Sequence, residues 1–195
     1  MTDVLGSDAR LYWEGKAEEY DRNRGIIKTQ TGLTERGLEL LKPDSKHGST
    51  MLDIGCGTGI STKIIMDNGF SVIGMDISFP MVEIAKRKGL NVLVGDFRFL
   101  PFRDKSFQHV FSVSTLQWIT GRDEEEIREK YRMVAREIYR VTKERGSVFI
   151  QFFPATEGEM EITLKEFKRA GFKGYLVEDE FGDKRKNKRY ILLNK

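Results

Sequence analysis

A hydrophobic strand runs into a glycine-rich turn at Leu52-Asp53-Ile54-Gly55-Cys56-Gly57-Thr58-Gly59. Residues 50–54 are predicted to form a short buried strand, and residues 60–68 a helix that Gly69 ends. The glycines allow the backbone to approach a ligand closely, because a Cβ atom there would collide with it. Dinucleotide-binding sites also place such a turn between a strand and a helix, so the turn alone does not identify the ligand.

Strands and helices alternate along the rest of the chain. The predicted strands are residues 50–54, 71–75, 91–94, 107–113, 147–153, 175–178 and 189–193. The predicted helices are residues 7–20, 29–41, 60–68, 79–88, 122–141 and 157–170. Such alternation predicts an α/β fold in which a Rossmann-like, mostly parallel sheet carries helices on both faces. The last two strands have no helix between them, so we expect a C-terminal antiparallel hairpin.

Two further strand ends carry acidic residues. Gly74-Met75-Asp76 ends the second strand, about 20 residues beyond the glycine turn, and Gly95-Asp96-Phe97 follows the third. A carboxylate at Asp76 can accept hydrogen bonds from both hydroxyls of a ribose, Asp96 can accept from an adenine amino group, and Phe97 can cover the ring. Position 60 is Ile, where a dinucleotide fingerprint usually has Gly or Ala. These features favour S-adenosylmethionine (SAM), whose ammonium group Asp53 could hold indirectly, and the topology resembles the seven-stranded class I methyltransferase sheet.

Composition places the chain among ordinary globular proteins. It has 195 residues, of which 39% are hydrophobic, and its net charge is +3. We expect one domain over residues 1–195, with an N-terminal helical lid or substrate segment at 1–49 and a catalytic core at 50–195. The single cysteine, Cys56, excludes a disulfide within the chain and a cysteine-based zinc cluster, so no metal site is predicted. No signal peptide or membrane span is recognisable, and we expect a cytoplasmic protein.

The segment after the fourth strand bears on the methyl acceptor. It reads Ser112-Val113-Ser114-Thr115-Leu116-Gln117-Trp118, without the N/D-P-P-Y/F motif common in methylation of exocyclic amines. Cys56 lies inside the glycine turn, where a packing role is favoured over a nucleophilic one. Guanine N7 carries a free lone pair and no proton, so its methylation needs no general base. Trp118 could stack on a base and Gln117 could bind a base edge, although Trp118 could equally be a packing residue.

Basic residues concentrate in the turn before the last strand. Lys184, Arg185, Lys186 and Lys188 would lie at the mouth of the site if the sixth strand runs parallel to the first five. There they could position a nucleic-acid backbone without reading its sequence. A solvated charged turn is the alternative interpretation.

Several segments of the chain are more distinctive than the cofactor motifs. They are Asn23-Arg24-Gly25-Ile26-Ile27-Lys28-Thr29-Gln30-Thr31, Glu35-Arg36-Gly37-Leu38-Glu39-Leu40-Leu41, Leu116-Gln117-Trp118, Gln151-Phe152-Phe153-Pro154 and the tail from Ala170-Gly171-Phe172 to Lys188-Arg189-Tyr190. Together they resemble the eukaryotic small-subunit ribosomal RNA guanine-N7 methyltransferases over nearly the whole chain. The long basic C-terminal tail of that family is missing, so the chain resembles a compact, archaeal homologue.

This resemblance implies a substrate, a partner and a set of site residues. The substrate would be guanine N7 of ribosomal RNA in the small subunit, and the partner a small zinc-binding activator protein. The third strand, Asn91-Val92-Leu93-Val94, would be a sheet edge without Lys or Pro, open to pairing with that activator. The cofactor-binding residues would be Tyr20, Arg24, Asp53, Gly55, Cys56, Gly57, Gly59, Asp76, Ile77, Asp96, Phe97 and Ser112. The acceptor pocket would be formed by Gln117, Trp118, Phe153 and Pro154.

Two other functions remain open at this point. A small-molecule methyltransferase of the quinone or sterol type would share the cofactor motifs but would need a closed apolar pocket. A ribosome assembly factor could retain a SAM site that is incidental to its role in binding. Neither alternative requires the basic turn to contact RNA during catalysis.

Overall fold

A seven-stranded sheet forms the centre of the computed structural model, which describes residues 7–43, 49–180 and 187–195, with side chains from residue 11 onward. The strands are β1 (Thr50–Ile54), β2 (Ser71–Asp76), β3 (Val92–Val94), β4 (Phe107–Val113), β5 (Thr142–Gln151), β6 (Lys173–Asp179) and β7 (Lys188–Asn194). Their spatial order is β3-β2-β1-β4-β5-β7-β6. Strands β1 to β5 are parallel, and β7 is antiparallel to both β5 and β6. The predicted class I sheet with a C-terminal hairpin is therefore confirmed.

Seven α-helices connect or flank these strands in the described part of the chain. They are α1 (Ser7–Glu14), α2 (Ala17–Arg22), α3 (Arg24–Leu41), α4 (Ile60–Asp67), α5 (Phe79–Arg87), α6 (Glu124–Val141) and α7 (Glu157–Ala170). A short 3-10 helix spans Leu116–Trp118. In the described residues, no helix combines the length and the apolar character that a membrane crossing requires.

Alternate side chains of the strands pack against helices on opposite faces of the sheet, as the period of two requires. On one face, Leu52, Val110 and Val148 pack with α6 and α7. On the other face, Met51, Phe111 and Phe149 pack with α3 and α4. Helix α3 touches the sheet closely at Gly37, where an added Cβ would lie 2.5 Å from the rings of Phe111 and Phe149.

The N-terminal helices differ from the prediction in their boundaries. The helix expected over residues 7–20 is two helices, α1 and α2, interrupted at Gly15 and Lys16. Helix α3 begins five residues earlier than expected, because the Asn23 side chain accepts hydrogen bonds from the backbone N–H groups of Gly25 and Ile26 at 3.0 and 3.1 Å. Asparagine at this position satisfies donors that the first helical turn leaves free.

Strands β2, β3, β5, β6 and β7 also differ from the predicted limits, β2 by a single residue at one end and β7 by a single residue at each end. Strand β5 begins at Thr142, directly after α6, because Thr142 pairs with Phe107 before the ladder shifts register. Strand β6 begins at Lys173, which pairs with Asn194 across the hairpin. Strand β3 excludes Asn91, whose carbonyl still accepts from the Gly74 amide at 2.9 Å.

Candidate active site

The glycine-rich turn is held against the end of β2 by backbone and carboxylate hydrogen bonds. The amides of Gly55 and Cys56 donate to the Met75 carbonyl at 2.7 and 3.1 Å. The amide of Gly57 donates to the Asp76 carboxylate at 2.9 Å. Gly57 has φ +53°, and the nearest atom to a Cβ built there is Tyr20 Cε1, 4.0 Å away. The turn therefore presents bare backbone to the space below Tyr20.

Asp76 is oriented by the backbone on both of its oxygens. Oδ2 accepts from Gly57, and Oδ1 accepts from the Ser78 amide at 2.9 Å. Burial raises the pKa of this carboxyl, while the hydrogen bonds from the Ser78 and Gly57 amides act in the opposite direction. A carboxylate has about four lone-pair positions, so two backbone donors leave capacity for two hydroxyl groups of a ligand.

An open cavity of about 760 Å³ extends from Asp76 across the carboxyl ends of the strands. Its position, where the chain turns from β1–β3 to β4, is where open α/β sheets bind ligands. The lining residues are Trp13, Tyr20, Gly55, Gly57, Met75, Asp76, Ile77, Met81, Gly95, Asp96, Phe97, Arg98, Val113, Ser114, Thr115 and Trp118.

At the β3 end of the cavity, Asp96 is paired with Arg98. The Arg98 Nε lies 3.0 Å from both carboxylate oxygens, and the Arg98 amide donates to Oδ1 at 2.9 Å. The Asp96 oxygens are thus engaged by one neighbouring side chain, while Phe97 offers its half-buried ring to the same space. A ligand amino group at Asp96 would share the carboxylate with Arg98.

Asp53 lies beneath the glycine turn and does not line the cavity. Its Oδ2 accepts from the hydroxyls of Ser61 and Thr62, both at 2.6 Å, and Oδ1 has no partner among the described residues. The carboxyl thereby joins β1 to the first turn of α4, where negative charge is favourable. Burial raises its pKa to about 6, against the lowering effect of the two hydroxyl hydrogen bonds.

Three other residues that were predicted to bind the cofactor instead stabilise the glycine turn. The Cys56 thiol is buried among Val82, Ala85, Leu90 and Val92, and burial raises its pKa well above the ordinary value. A Cβ on Gly59 would lie 2.3 Å from Leu90 Cδ1. The Ser112 hydroxyl donates to the Ile54 carbonyl at 3.1 Å. These contacts hold the turn in place without reaching the cavity.

We expect Asp53 to change the pH dependence of stability in a defined direction. Its pKa is about 6 in the folded chain and about 3.9 when unfolded, so its protonation stabilises the fold, and this stabilisation is lost as pH rises through 6. At about 1.4 kcal/mol per pKa unit, the free energy of unfolding of the native chain relative to Asp53→Asn should rise by up to about 3 kcal/mol from about pH 7 to about pH 4.

Denaturant titrations at several pH values would measure this difference. Asp67→Asn removes an exposed carboxylate at the far end of α4 and controls for the general effect of losing one charge. A difference between the native chain and Asp53→Asn that stays constant with pH would contradict the assignment.

The end of the cavity beyond β4 is walled by aromatic side chains from two parts of the chain. Trp118 lies 5.5 Å from Trp13 and 5.4 Å from Tyr12, measured between ring centroids. Trp13 also meets Tyr20 edge-on at 5.2 Å. Burial and the nearby Asp76 charge raise the pKa of Tyr20 to about 12, so its hydroxyl stays protonated at neutral pH. Both tryptophans of the chain thus line this cavity.

Besides Asp53, Cys56, Gly59 and Ser112, four more of the residues predicted for the cofactor and the acceptor lie outside the cavity lining. The Gln117 Oε1 atom is buried without a partner among the described residues. Phe153 is exposed and Pro154 half-buried, both just beyond the end of β5. Arg24 is exposed at the first position of α3. The cavity thus contains Trp118 from the predicted acceptor pocket, and Tyr20, Gly55, Gly57, Asp76, Ile77, Asp96 and Phe97 from the predicted cofactor set.

The sequence reasoning missed several residues that line the cavity. Trp13 falls within the helix predicted over residues 7–20, but its ring reaches the site because the chain breaks between α1 and α2. Met81 lies on α5, and Ser114 and Thr115 follow β4. Ser114 and Thr115 could have been predicted from the sequence, because residues directly after a parallel strand at the switch point usually face the ligand.

The basic turn is only partly within the described residues. Lys184, Arg185 and Lys186 lie outside them. Lys188 begins β7, is half-buried and pairs in register with Asp179. Since β6 is parallel to β5, the turn starts at the edge of the sheet where the cavity opens.

Comparison with known proteins identifies the fold and the chemistry. Residues 52–150 match the family described as a methyltransferase domain. The chain is 34% identical to the 18S rRNA (guanine-N(7))-methyltransferase bud23 of Schizosaccharomyces pombe, over 94% of this chain and 70% of that protein. The chain belongs to this methyltransferase family. Its cofactor is therefore SAM, and the bare Gly57 backbone and the oriented Asp76 carboxylate in the cavity lining fit that molecule.

Other relatives of this methyltransferase have the same description. The 18S rRNA (guanine-N(7))-methyltransferase of Mus musculus is 32% identical over 96% of this chain and 68% of its own length. The chain spans about two thirds of the length of these curated relatives.

Solved structures agree with the methyltransferase fold. One is a chain from the complex between the Haloferax volcanii Trm112 methyltransferase activator and a methyltransferase, with TM-score 0.72, 18% identity and coverage of 95% of this chain and 96% of that chain. Another is the magnesium protoporphyrin IX methyltransferase of Synechocystis PCC 6803 with bound SAM, with TM-score 0.73, 16% identity and coverage of 100% and 98%.

Proposed function

We propose that this methyltransferase transfers the methyl group of SAM to N7 of a guanine in small-subunit ribosomal RNA. The observation that carries the proposal is the aromatic wall of Trp13 and Trp118 beside the cofactor cavity. Flat rings can bind a nucleobase by stacking, which is worth roughly 1–3 kcal/mol per base. The relationship to 18S rRNA (guanine-N(7))-methyltransferases supports the same acceptor.

The residues at the acceptor end have chemistry suited to N7. In the described lining, this end consists of Trp13, Ser114, Thr115 and Trp118, none of which is a general base at neutral pH. SAM supplies a methyl group already activated on a sulfonium. Because N7 carries no proton, the chain has only to align the base, bind the cofactor at Asp76 and exclude water.

Transfer of labelled methyl groups tests the substrate class. We expect label from SAM to enter isolated small-subunit RNA or subunits and to depend on Asp76, so that Asp76→Ala abolishes transfer. A quinone or sterol acceptor assayed in parallel should remain unlabelled. Label in the small molecule alone would favour the quinone or sterol type of methyltransferase. If Asp76→Ala abolished SAM binding yet supported ribosome assembly in cells, an assembly factor would be favoured.

We further propose that Lys184, Arg185, Lys186 and Lys188 hold the phosphate backbone of this RNA. Support comes from the topology, since the β6–β7 turn starts at the edge where the cavity opens. The proposed contacts are electrostatic and independent of sequence. Neutralising the four residues should therefore weaken RNA binding and flatten its dependence on salt, while leaving SAM binding unchanged.

The chain is also proposed to bind a small zinc-binding activator at β3. This strand is a sheet edge, and Val94 at its end is 44% exposed. The Gly95 amide donates to the Asp76 carbonyl, and the Asn91 carbonyl accepts from the Gly74 amide. The backbone N–H and C=O groups of the odd-numbered residues therefore point toward β2. Because hydrogen-bonding groups alternate sides along a parallel strand, those of Val92 and Val94 point to the open edge, ready for an added strand.

Val94→Pro should therefore abolish formation of the activator complex, because proline removes the outward N–H without breaking the pairing to β2. Val94→Thr keeps that N–H and a similar shape, and should leave complex formation intact. Co-purification and light scattering with the activator would compare the variants. Equal binding by Val94→Pro and the native chain would contradict docking at this edge.

A further inference from the structure

A chain of three polar side chains connects the N-terminal helix to the wall of the cavity. Gln30 Nε2 on α3 donates to Ser114 Oγ at 3.2 Å. Ser114 Oγ in turn donates to Gln151 Oε1, also at 3.2 Å. The Ser114 amide points to the same Oε1 at 3.2 Å, which fixes the orientation of the completely buried Gln151 amide. The Ser114 hydroxyl therefore accepts one hydrogen bond, from Gln30, and donates one, to Gln151.

Ser114 adopts an unusual backbone conformation at this point. Its φ is +56°, a left-handed value that serine rarely adopts. The conformation follows directly after β4 and places Ser114 in the lining of the cavity. Strained backbone of this kind persists where surrounding contacts determine it, and it concentrates in functional sites. Here those contacts are the two glutamine side chains and the Gln151 carbonyl, which accepts from the Ser114 amide at 2.8 Å.

The packing of α3 explains how Gln30 reaches this position. Gly37 lies against the Phe111 and Phe149 rings, and Gln30 is seven residues earlier, on the same face of the helix. Seven helical residues span about 10 Å. The three residue steps from Phe111 to Ser114, at the end of β4, also span about 10 Å. Docking of α3 on the sheet thus sets the place of Gln30 beside Ser114.

Ser114 lies on the acceptor side of the cavity. Asp76 and Asp96 end β2 and β3, whereas Ser114 follows β4 on the other side of β1. A ribose and an adenine bound at the two carboxylates leave the Ser114 and Trp118 end for the acceptor. We propose that Gln30 and Gln151 are positioning residues that fix Ser114 against the acceptor base, so that docking of α3 sets the geometry of methyl transfer. This inference rests on the proposed transfer to RNA.

Methionine substitutions test the positioning role. Gln30→Met and Gln151→Met keep the length of the side chain and remove its hydrogen bonds. We expect kcat to fall by about 10- to 100-fold, as for other small misplacements of reacting groups, while the dissociation constant for SAM stays within about twofold. Gln108→Met is the matched control, since Gln108 makes a comparable amide hydrogen bond to the Arg145 carbonyl at the opposite end of β4.

Unchanged kcat in both variants would overturn the proposal, as would a loss of SAM affinity equal to the loss of kcat. Melting temperatures separate either result from unfolding. If Gln151→Met fails to fold, Gln30→Met still tests the proposal, because Gln30 is only half-buried.

The variant Gln30→Glu provides a readout that a purely structural role would not change. Near neutral pH, the introduced carboxylate cannot donate to Ser114, so kcat should match that of Gln30→Met. Protonation restores an O–H donor at the same position. The ratio of its kcat to that of the native chain should therefore increase between about pH 7.5 and about pH 5.5, whereas the ratio for Gln30→Met should not. Parallel profiles for the two variants would contradict the proposed hydrogen bond.

Hydrogen exchange tests the same chain of contacts without RNA. In the SAM-saturated native protein, we expect slow exchange of the amides at residues 114–118, and at least tenfold faster exchange in Gln30→Met than in Gln108→Met. Equal exchange rates in the two variants would show that Gln30 on α3 does not hold Ser114 and the residues after it in place. If the native chain methylates no RNA, the proposed function fails, and the exchange rates still decide whether Gln30 holds Ser114.

Discussion

Asp76→Ala is expected to weaken SAM binding by at least about 100-fold. The carboxylate is oriented by Gly57 and Ser78 and lines the cavity, so it can accept both ribose hydroxyls. Hydrogen bonds to a charged group contribute about 1.5–3 kcal/mol each, and about 1.4 kcal/mol corresponds to a factor of ten in affinity. Titration calorimetry would measure the loss, and fluorescence of Trp13 and Trp118 gives an independent signal from the same cavity.

Two control variants separate recognition from folding. Asp76→Asn keeps the size of the side chain but replaces one acceptor oxygen by a donor, so it should lose most of the affinity as well. Asp67→Ala removes an exposed carboxylate from the end of α4 and should bind SAM normally. Native affinity in Asp76→Asn, in a variant that melts like the native chain, would show that Asp76 only supports the glycine turn.

Gly57→Ala is expected to reduce SAM affinity strongly at a small cost in stability. At φ +53° an L-residue is strained by about 1–2 kcal/mol, but its Cβ meets no protein atom closer than 4.0 Å. The methyl group instead projects toward the cavity, into space that the cofactor needs. We expect at least a tenfold loss of affinity, since a ligand that must move away from bare backbone loses its closest contacts.

Gly69→Ala is the matched control for this effect. Gly69 has φ +89°, and a Cβ built there has nothing within 4 Å. The two variants should therefore show similar decreases in melting temperature, while only Gly57→Ala loses affinity for SAM. Equal SAM affinities in the two variants would place the cofactor away from the glycine turn.

The sheet and the cofactor end of the site could be predicted because they depend on local signals. Buried strands followed by glycine or aspartate fix where each strand ends, and parallel strands place those ends at one edge. Gly57, Asp76 and Asp96 were found in this way. Asp53 has the same signal but points beneath the turn, because Ser61 and Thr62 offer it two hydroxyl donors there.

The acceptor end depends on tertiary contacts that no local pattern encodes. Trp13 reaches the cavity only because the chain breaks between α1 and α2 and lets its ring meet Trp118. Ser114 holds a left-handed conformation that serine does not favour locally, and its glutamine partners are distant in sequence. The Arg98 contact with Asp96 was also missed, although the two residues are only two positions apart.

The most direct test of the account is to map the methylated atom. Small-subunit RNA would be incubated with labelled SAM, with and without the activator, and then cleaved by chemistry specific for N7-methylguanine. We expect strand cleavage at one guanine, absent in Asp76→Ala and reduced in Gln30→Met. Labelled RNA that resists this cleavage, from a native chain that binds SAM, would contradict methylation at guanine N7.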